Sequence, residues 1–396
     1  MSQDVTSLRL ARLRPVGQPL RVRGASAAPS SPHGFHMQLT QSGTAALALA
    51  MLVARLRRNV HGAPEVLLPG YACPDLLAAA HWAGVRPILV DLRAGDTRLD
   101  SADLLHRRSA RTVAVVAVNF LGIADDLPAL RSVAHEANAL LIEDDAQYCP
   151  EPFATSTLMG DCVVLSFGRG KPVPLVGGGA LLVRTDSAAG PNAAAGPIAP
   201  DGLRHLLPAL ALDAAPAWAT LAKLRAYNLL LHPWLYGLIA RLPIGLGRTC
   251  YKPLHEVREL DLCRRGQLAG NIEWQYARAR SVEQQIRTNV IPALPAGSVD
   301  LAAQSGVRAQ RLLRYPILLP DRAQRDVLLD RMTQEGLGAT VMYGKVLPDI
   351  DGVDAATDSP PLTNARQFAD RLLTLPVHAG VSTRHIDRMA TLARST

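Results

Sequence analysis

From residue 65 onward, short apolar runs alternate with stretches of helix-forming residues. Glu65–Pro69 (EVLLP), Pro87–Asp91 (PILVD), Thr112–Asn119 (TVAVVAVN), Ala139–Asp144 (ALLIED), Cys162–Ser166 (CVVLS) and Ala180–Arg184 (ALLVR) predict strands. Ala45–Arg58, about Pro74–Trp82 with Gly84 as its C-cap, and Leu127–Ala137 predict helices between them. Strands with no polar alternation are covered on both faces, as in a parallel sheet. The pattern therefore predicts an α/β fold with a mainly parallel sheet. Ligands of such sheets bind beyond the carboxyl ends of the strands, where Asp144 and Ser166 stand.

The flanks read differently. Residues 1–36 are rich in Arg, Ser and Pro and are taken as an N-terminal extension. Residues 185–201 (TDSAAGPNAAAGPIAPD) read as a linker or surface loop. Residues 203–247 are apolar and helical, broken at Pro233 and Pro243. Beyond about residue 250 a polar helix over 261–288 precedes a strand at 314–319 and a helix at 322–335. A short strand near 339–343 and a strand–helix unit at 372–394 follow. The organisation expected is an extension (1–36), a large α/β domain (37–250, with an apolar helical insertion at 203–247) and a small α+β domain (251–396).

Composition narrows the classes. The 396 residues are 48% hydrophobic and 19% charged, enough for a large core and too little charge for a disordered chain. The net charge of +8 fits anionic partners. The basic residues are scattered, without aromatic–basic interleaving, so nucleic acid is not an expected partner. Only four of the 42 basic residues are lysines: Lys171, Lys223, Lys252 and Lys345. Five cysteines form no CxxC pair and no zinc spacing, which argues for a reducing compartment and against a metal site. No signal-peptide pattern opens the sequence and no apolar stretch reaches the ~20 residues of a membrane span. A cytoplasmic location is expected.

Three segments could carry chemistry. Ser166-Phe-Gly-Arg-Gly-Lys171 ends in a lysine flanked by small residues. It is not a phosphate-binding P-loop, because position 165 is Leu and position 172 is Pro. A lysine that loses solvation becomes a Schiff-base nucleophile, and a chain that uses Arg nearly everywhere has a reason to keep Lys where an amine must deprotonate. Glu143-Asp-Asp-Ala-Gln147 puts carboxylates at the end of a buried strand, where one can hold a pyridine nitrogen protonated. Ser42-Gly-Thr44 precedes a long helix, whose N–H groups bind phosphate. Each has a plainer account taken singly: a loop lysine, a turn carboxylate, a helix cap.

In this order the segments resemble those of the DegT/DnrJ/EryC1/StrS sugar aminotransferases, which use pyridoxal 5′-phosphate (PLP). The family's S-G-T-x-A-L is similar to Ser42-Gly-Thr-Ala-Ala-Leu47, its E-D-x-A-Q to Glu143-Asp-Asp-Ala-Gln147, and its S-F-x-x-x-K to Ser166-Phe-Gly-Arg-Gly-Lys171. Gly178-Gly179 and Asn119-Phe-Leu-Gly-Ile-Ala-Asp125 add further likeness, which is strong over 37–186 and thin over 306–396. The resemblance implies the aspartate-aminotransferase fold (PLP fold type I), with a seven-stranded sheet. Lys171 would form the internal aldimine, with Asp144 on the pyridine nitrogen and Gln147 against the ring oxygen. Ser42, Gly43, Thr44 and Ser166 would line the phosphate site, and Cys73 stands where an aromatic side chain usually stacks on the ring. Tyr71, Arg169 and Tyr343 are candidate substrate contacts, with Lys252 and His255 behind them. Asn119, Gly168 and Gly177 replace a His, a His and a Glu of the family pattern.

The function this implies is transfer of an amino group from an amino acid, by analogy glutamate, to a nucleotide-linked keto sugar. Such enzymes serve amino-sugar, glycan or polysaccharide biosynthesis and act as homodimers. Two rivals fit the same residues: a PLP enzyme with amino-acid or lipid-linked substrates, and a non-catalytic aminotransferase-like binding protein. The resemblance leaves 203–247 unexplained. That stretch reads either as a dimer contact or extra buried helix pair, or as a peripheral membrane contact.

Overall fold

A computed structural model describes residues 12–22, 29–150, 157–185, 207–239, 249–278, 280–354 and 360–395. Residues 1–11 and 23–28 of the expected extension, the linker at 186–201, and residues 203–206 and 240–247 of the apolar stretch lie outside them.

Seven strands form one sheet: β1 (Phe35–Thr40), β2 (Glu65–Pro69), β3 (Arg86–Val90), β4 (Thr112–Val118), β5 (Leu140–Asp145), β6 (Cys162–Ser166) and β7 (Gly179–Arg184). Their spatial order is β1-β7-β6-β5-β4-β2-β3. β7 pairs antiparallel with both neighbours, and the five strands from β6 to β3 are parallel. Every residue of β2, β5 and β7 is buried, which is why these strands carry no alternating polar face. The order reverses at β2, with β3 on one side and β4 on the other, and the shared direction of the five parallel strands brings their carboxyl ends to one edge.

The helices α1 (Gly43–Arg57), α2 (Asp75–Ala83), α3 (Ser101–Arg107) and α4 (Leu127–Glu136) cover this sheet. α1 is rich in Ala and Leu, and its buried face runs from Ala45 to Ala54. Small side chains let it lie close to α2 and to the strands beneath it. α2 ends at Gly84, whose left-handed backbone (φ 66°) takes up the carbonyls of Ala80 and His81.

Beyond the apolar pair α5 (Ala217–Leu230) and α6 (Pro233–Ile239), α7 (Leu262–Tyr276) and α8 (Ser281–Gln285) lead to a three-stranded antiparallel sheet. Its strands are β8 (Val299–Asp300), β9 (Arg314–Leu318) and β10 (Leu372–Pro376), in the order β10-β9-β8. The short helix α9 (Leu301–Ser305) follows β8. α10 (Arg322–Gln334), α11 (Thr363–Arg371) and α12 (Thr383–Arg394) pack around this sheet. The strand expected near 339–343 does not form. Thr340 makes a single bridge to Thr374, and Met342 turns the chain with φ 55°. The turn frees the Tyr343 side chain from any strand face.

The described part of the expected extension makes specific bonds. Residues 12–22 run as a strap across both sheets' surroundings. The Leu13 N–H donates to Gly336 O, and buried Arg314 donates to Pro15 O. Asn228 and Asn271 each accept from and donate to the strap backbone, at Leu20 and Arg21. His378 Nε2–H donates to Arg14 O (2.9 Å), while its Nδ1 accepts from the Gly380 N–H (3.1 Å). This pairing needs the neutral ring. Burial, with Arg14 and Arg314 nearby, pushes the His378 pKa from 6.5 down to about 4. The unfolded chain therefore takes up this proton first as pH falls. Stability should drop between pH 6.5 and 4 by up to about 3 kcal/mol. Urea unfolding of the wild type and of His378→Gln across that window measures this, and the variant should lose this part of the slope.

Candidate active site

The carboxyl ends of β5 and β6 and the amino end of α1 meet at one place. Ser42 caps α1, its Oγ accepting from the Ala45 N–H at 3.1 Å. The next residue has no room for a side chain: a Cβ on Gly43 would lie 2.6 Å from Ser166 Oγ. A Cβ on Gly179 would lie 2.5 Å from Ser42 O. Two glycines thus let the helix start rest on the ends of β6 and β7. Among the described residues no acceptor meets the Gly43 and Thr44 N–H groups, and the Ser166 hydroxyl lies beside Gly43. A helix N-terminus with free N–H groups and a nearby hydroxyl is an anion cradle.

Lys171 lies five residues beyond Ser166, after a turn closed by its own N–H donating to Gly168 O. Its side chain passes Gly168, whose absent Cβ would sit 3.8 Å from Lys171 Cγ. The lysine is half-buried, and no hydrogen bond or ion pair holds its amine among the described residues. Asp144 stands opposite at the end of β5, 5% exposed, with one carboxylate oxygen taking the Ala146 N–H at 2.9 Å. Burial raises its pKa, and the Lys171 ammonium acts in the opposing direction.

The other two acids of the run point to the other face of β5. Glu143 takes the N–H groups of Met159 and Gly160, both at 2.8 Å, and Asn119 Nδ2. Asn119 also donates to Asp145, whose second oxygen has no partner among the described residues. Burial and then the Glu143 charge push the Asp145 pKa well up, and burial raises that of Glu143 as well, against the N–H groups of Gly160 and Met159. Asn119, at a family histidine position, clamps these two carboxyl groups.

The remaining expected residues divide into three sets. Gln147 lies at the site: it accepts from the Leu121 N–H (2.9 Å) and donates to Tyr343 Oη (2.6 Å). Cys73 also lies there, its thiol feeling the charges of Asp75, Lys171 and Asp144. Burial, then Asp75, pushes its pKa up to about 12. Tyr71 is buried beneath, in a cluster with Phe120, Tyr343 and Phe368 at 5.2–5.7 Å between ring centres, its hydroxyl on Val341 O. Arg169, Lys252 and His255 are exposed, and among the described residues no hydrogen bond ties their side chains to the other expected site residues.

One neighbour escaped the sequence reading. Asp75, in the first turn of α2 beyond the end of β2, accepts from Thr44 Oγ1 at 2.9 Å. The Thr44 hydroxyl expected at the phosphate is thus engaged by a carboxylate. Asp75 also raises the pKa values of Asp144, Cys73 and Tyr343. The only sign of it in the sequence is an acid at a helix start, which ordinarily marks nothing more than a favourable dipole contact.

Residues 34–192 and 265–393 match the model of the DegT/DnrJ/EryC1/StrS aminotransferase family. A GDP-perosamine synthase of Vibrio cholerae is 26% identical over 157 residues, covering 38% of this chain and 41% of that protein. A dTDP-3-amino-3,4,6-trideoxy-alpha-D-glucose transaminase of Micromonospora megalomicea is 30% identical over 157 residues, covering 39% of this chain and 41% of that protein. The chain thus matches 41% of the length of either curated relative. NtdA of Bacillus subtilis, solved with its cofactor PMP bound, superposes with a TM-score of 0.63 at 13% identity, covering 92% of this chain and 74% of that one.

The cradle test is direct. Gly43→Ala would push a methyl group into Ser166 and close the gap between the helix start and the hydroxyl. Equilibrium dialysis should show binding of PLP weakened by about tenfold or more. The far-UV circular dichroism should be unchanged.

Proposed function

Because the chain belongs to the DegT/DnrJ/EryC1/StrS aminotransferase family, we propose that it is a PLP-dependent aminotransferase. It takes an amino group from an amino acid, with glutamate as donor, and delivers it to a keto sugar carried on a nucleoside diphosphate. The observation that carries this reading is that the Lys171 charge reaches buried Asp144, near a helix start where Gly43 lies against Ser166. The nucleotide-sugar names of the relatives support the substrate class. The positive net charge suits a diphosphate.

The residues fit the cofactor. The Gly43 and Thr44 N–H groups and the Ser166 hydroxyl would hold its phosphate. Ser42 fixes the helix start that aims those groups. Bound there, PLP supplies an electron sink for the carbanion left when a substrate carbon loses its proton. Lys171 would hold the cofactor through its amine, and that amine would move the substrate proton as base and then acid. Asp144 would keep a proton on the pyridine nitrogen, and its burial would strengthen that charge-assisted bond. Gln147 is held at both ends of its amide, by the Leu121 N–H and Tyr343 Oη, so its position beside the ring is fixed. The Cys73 thiol stays protonated and offers packing rather than a second nucleophile. Tyr71 backs the Tyr343 ring from below. In this reading the protein acts as a homodimer.

Borohydride reduction of the PLP-loaded protein followed by peptide mapping tests the reading. The cofactor should be fixed on Lys171 in the wild type, and Lys171→Ala should lack the visible band of lysine-bound PLP. Asp144→Ala should retain PLP yet lose on the order of 100-fold or more in transamination rate. A wild type that binds no PLP, or labels at another lysine, overturns the assignment. Turnover with amino acids alone, and none with nucleoside-diphosphate keto sugars, overturns the substrate class.

A further inference from the structure

The apolar pair α5 and α6 is barely packed. Only Thr220 and Leu224 of α5, and Gly237 of α6, are buried. Leu224 joins Leu20, Leu268 and Ile272 in a small core, while Tyr227 Oη donates to Gln18 O and Asn228 binds Leu20. That inner face fastens the pair to the body. The outer face is left bare: Trp218 is 76% exposed, Leu229 65%, Leu238 63% and Trp234 46%. Among the described residues, six of the ten exposed large apolar side chains fall between Leu212 and Leu238. The others are scattered singly, as on any soluble surface. A concentration of this kind marks a surface that something covers.

The chemistry of the face selects the cover. Trp218, Arg225 and Leu229 succeed one another at spacings of seven and four along α5, so cation and apolar groups share one stripe. Lys223 and Arg225 are exposed, and no Asp or Glu occurs between residues 214 and 239. A second copy meeting this face across a two-fold axis would set cations against cations with no carboxylate to receive them. α5 has 14 residues and Pro233 breaks the path, so the pair cannot cross a bilayer. It can lie in the plane of one. Trp settles at the headgroup level, Leu enters the acyl boundary, and Lys and Arg reach anionic headgroups along their apolar stems.

We propose that α5 and α6 form a dock for the surface of an anionic lipid bilayer. The inference rests on this exposed face and is independent of the reading of the active site.

Flotation of the full chain with phosphatidylcholine vesicles, with and without phosphatidylglycerol, tests it. The wild type should float with the anionic vesicles only, and added salt should release it. Trp218→Ser with Leu229→Ser should cut the bound fraction about tenfold or more. Lys223→Glu with Arg225→Glu should cut it about tenfold. Unchanged thermal midpoints show that the exposed substitutions leave the fold intact. Failure to float with anionic vesicles, or equal flotation with neutral ones, overturns the proposal. So does sedimentation velocity showing that the variants split an oligomer, since a second copy would then be the cover.

Discussion

The close approach of α1 to the ends of β6 and β7 is the constraint on which the site depends. Gly43 and Gly179 remove the two side chains that would hold the helix away, and Ser42, Gly43 and Ser166 come within contact distance. The bridge between Ser42 and Gly178, with the Gly178 N–H on Gln41 O, pins the same junction from the backbone. Once the helix start is fixed, its N–H groups stand beside Ser166, at the end of the strand that leads to Lys171. An anion entering there meets preorganised donors and displaces little structure, which is how such a site gains affinity without rearrangement.

Three consecutive carboxyl groups at the end of a buried strand would be prohibitive if all were ionised. The protein resolves this by alternation. Glu143 and Asp145 share one face, and Asn119 bridges them while backbone N–H groups serve Glu143 alone. Burial pushes both pKa values up, and the backbone N–H groups work against that shift at Glu143 only. Asp144, on the opposite face, has Lys171 as its nearest cation and a second acid, Asp75, pushing against it. A cationic ring nitrogen brought to Asp144 would supply the charge that this face lacks. The upward push of burial and Asp75 on Asp144 and the chemistry proposed for that carboxyl group therefore point the same way.

How much of this was legible in the sequence follows from range. The parallel strands are continuous apolar runs, and Cys162–Ser166 was placed to the residue because burial on both faces leaves no ambiguity. β1 was missed: FHMQLT mixes polar and apolar positions, and only pairing with β7 makes it a strand. The segment 339–343 erred the other way. It reads as a short strand, but the positive φ at Met342 belongs to a turn. The site motifs were legible because Ser42–Thr44, Asp144 and Ser166–Lys171 are local in sequence. Asp75 was not, because its meaning lies in a bond to Thr44 from another helix.

The strap of residues 12–22 shows the same limit and links the two sheets. It has no regular secondary structure, so its backbone groups must find partners elsewhere. They find them in side chains more than 200 residues away, Asn228 and Asn271, and in Arg314 and His378 around the small sheet. Arg314 is fully buried with only neutral acceptors: Thr374 and the carbonyls of Gly338 and Pro15. Burial pushes its pKa down to about 9, and removing the strap carbonyl would leave a buried cation short of a partner. The same strap sets Val16 against Gly170, next to Lys171. A segment that read as a bare extension is thus a structural tie between the small sheet and the lysine turn, and it also secures the inner face of α5. Site, small sheet and exposed helix pair are held in register by one stretch of chain.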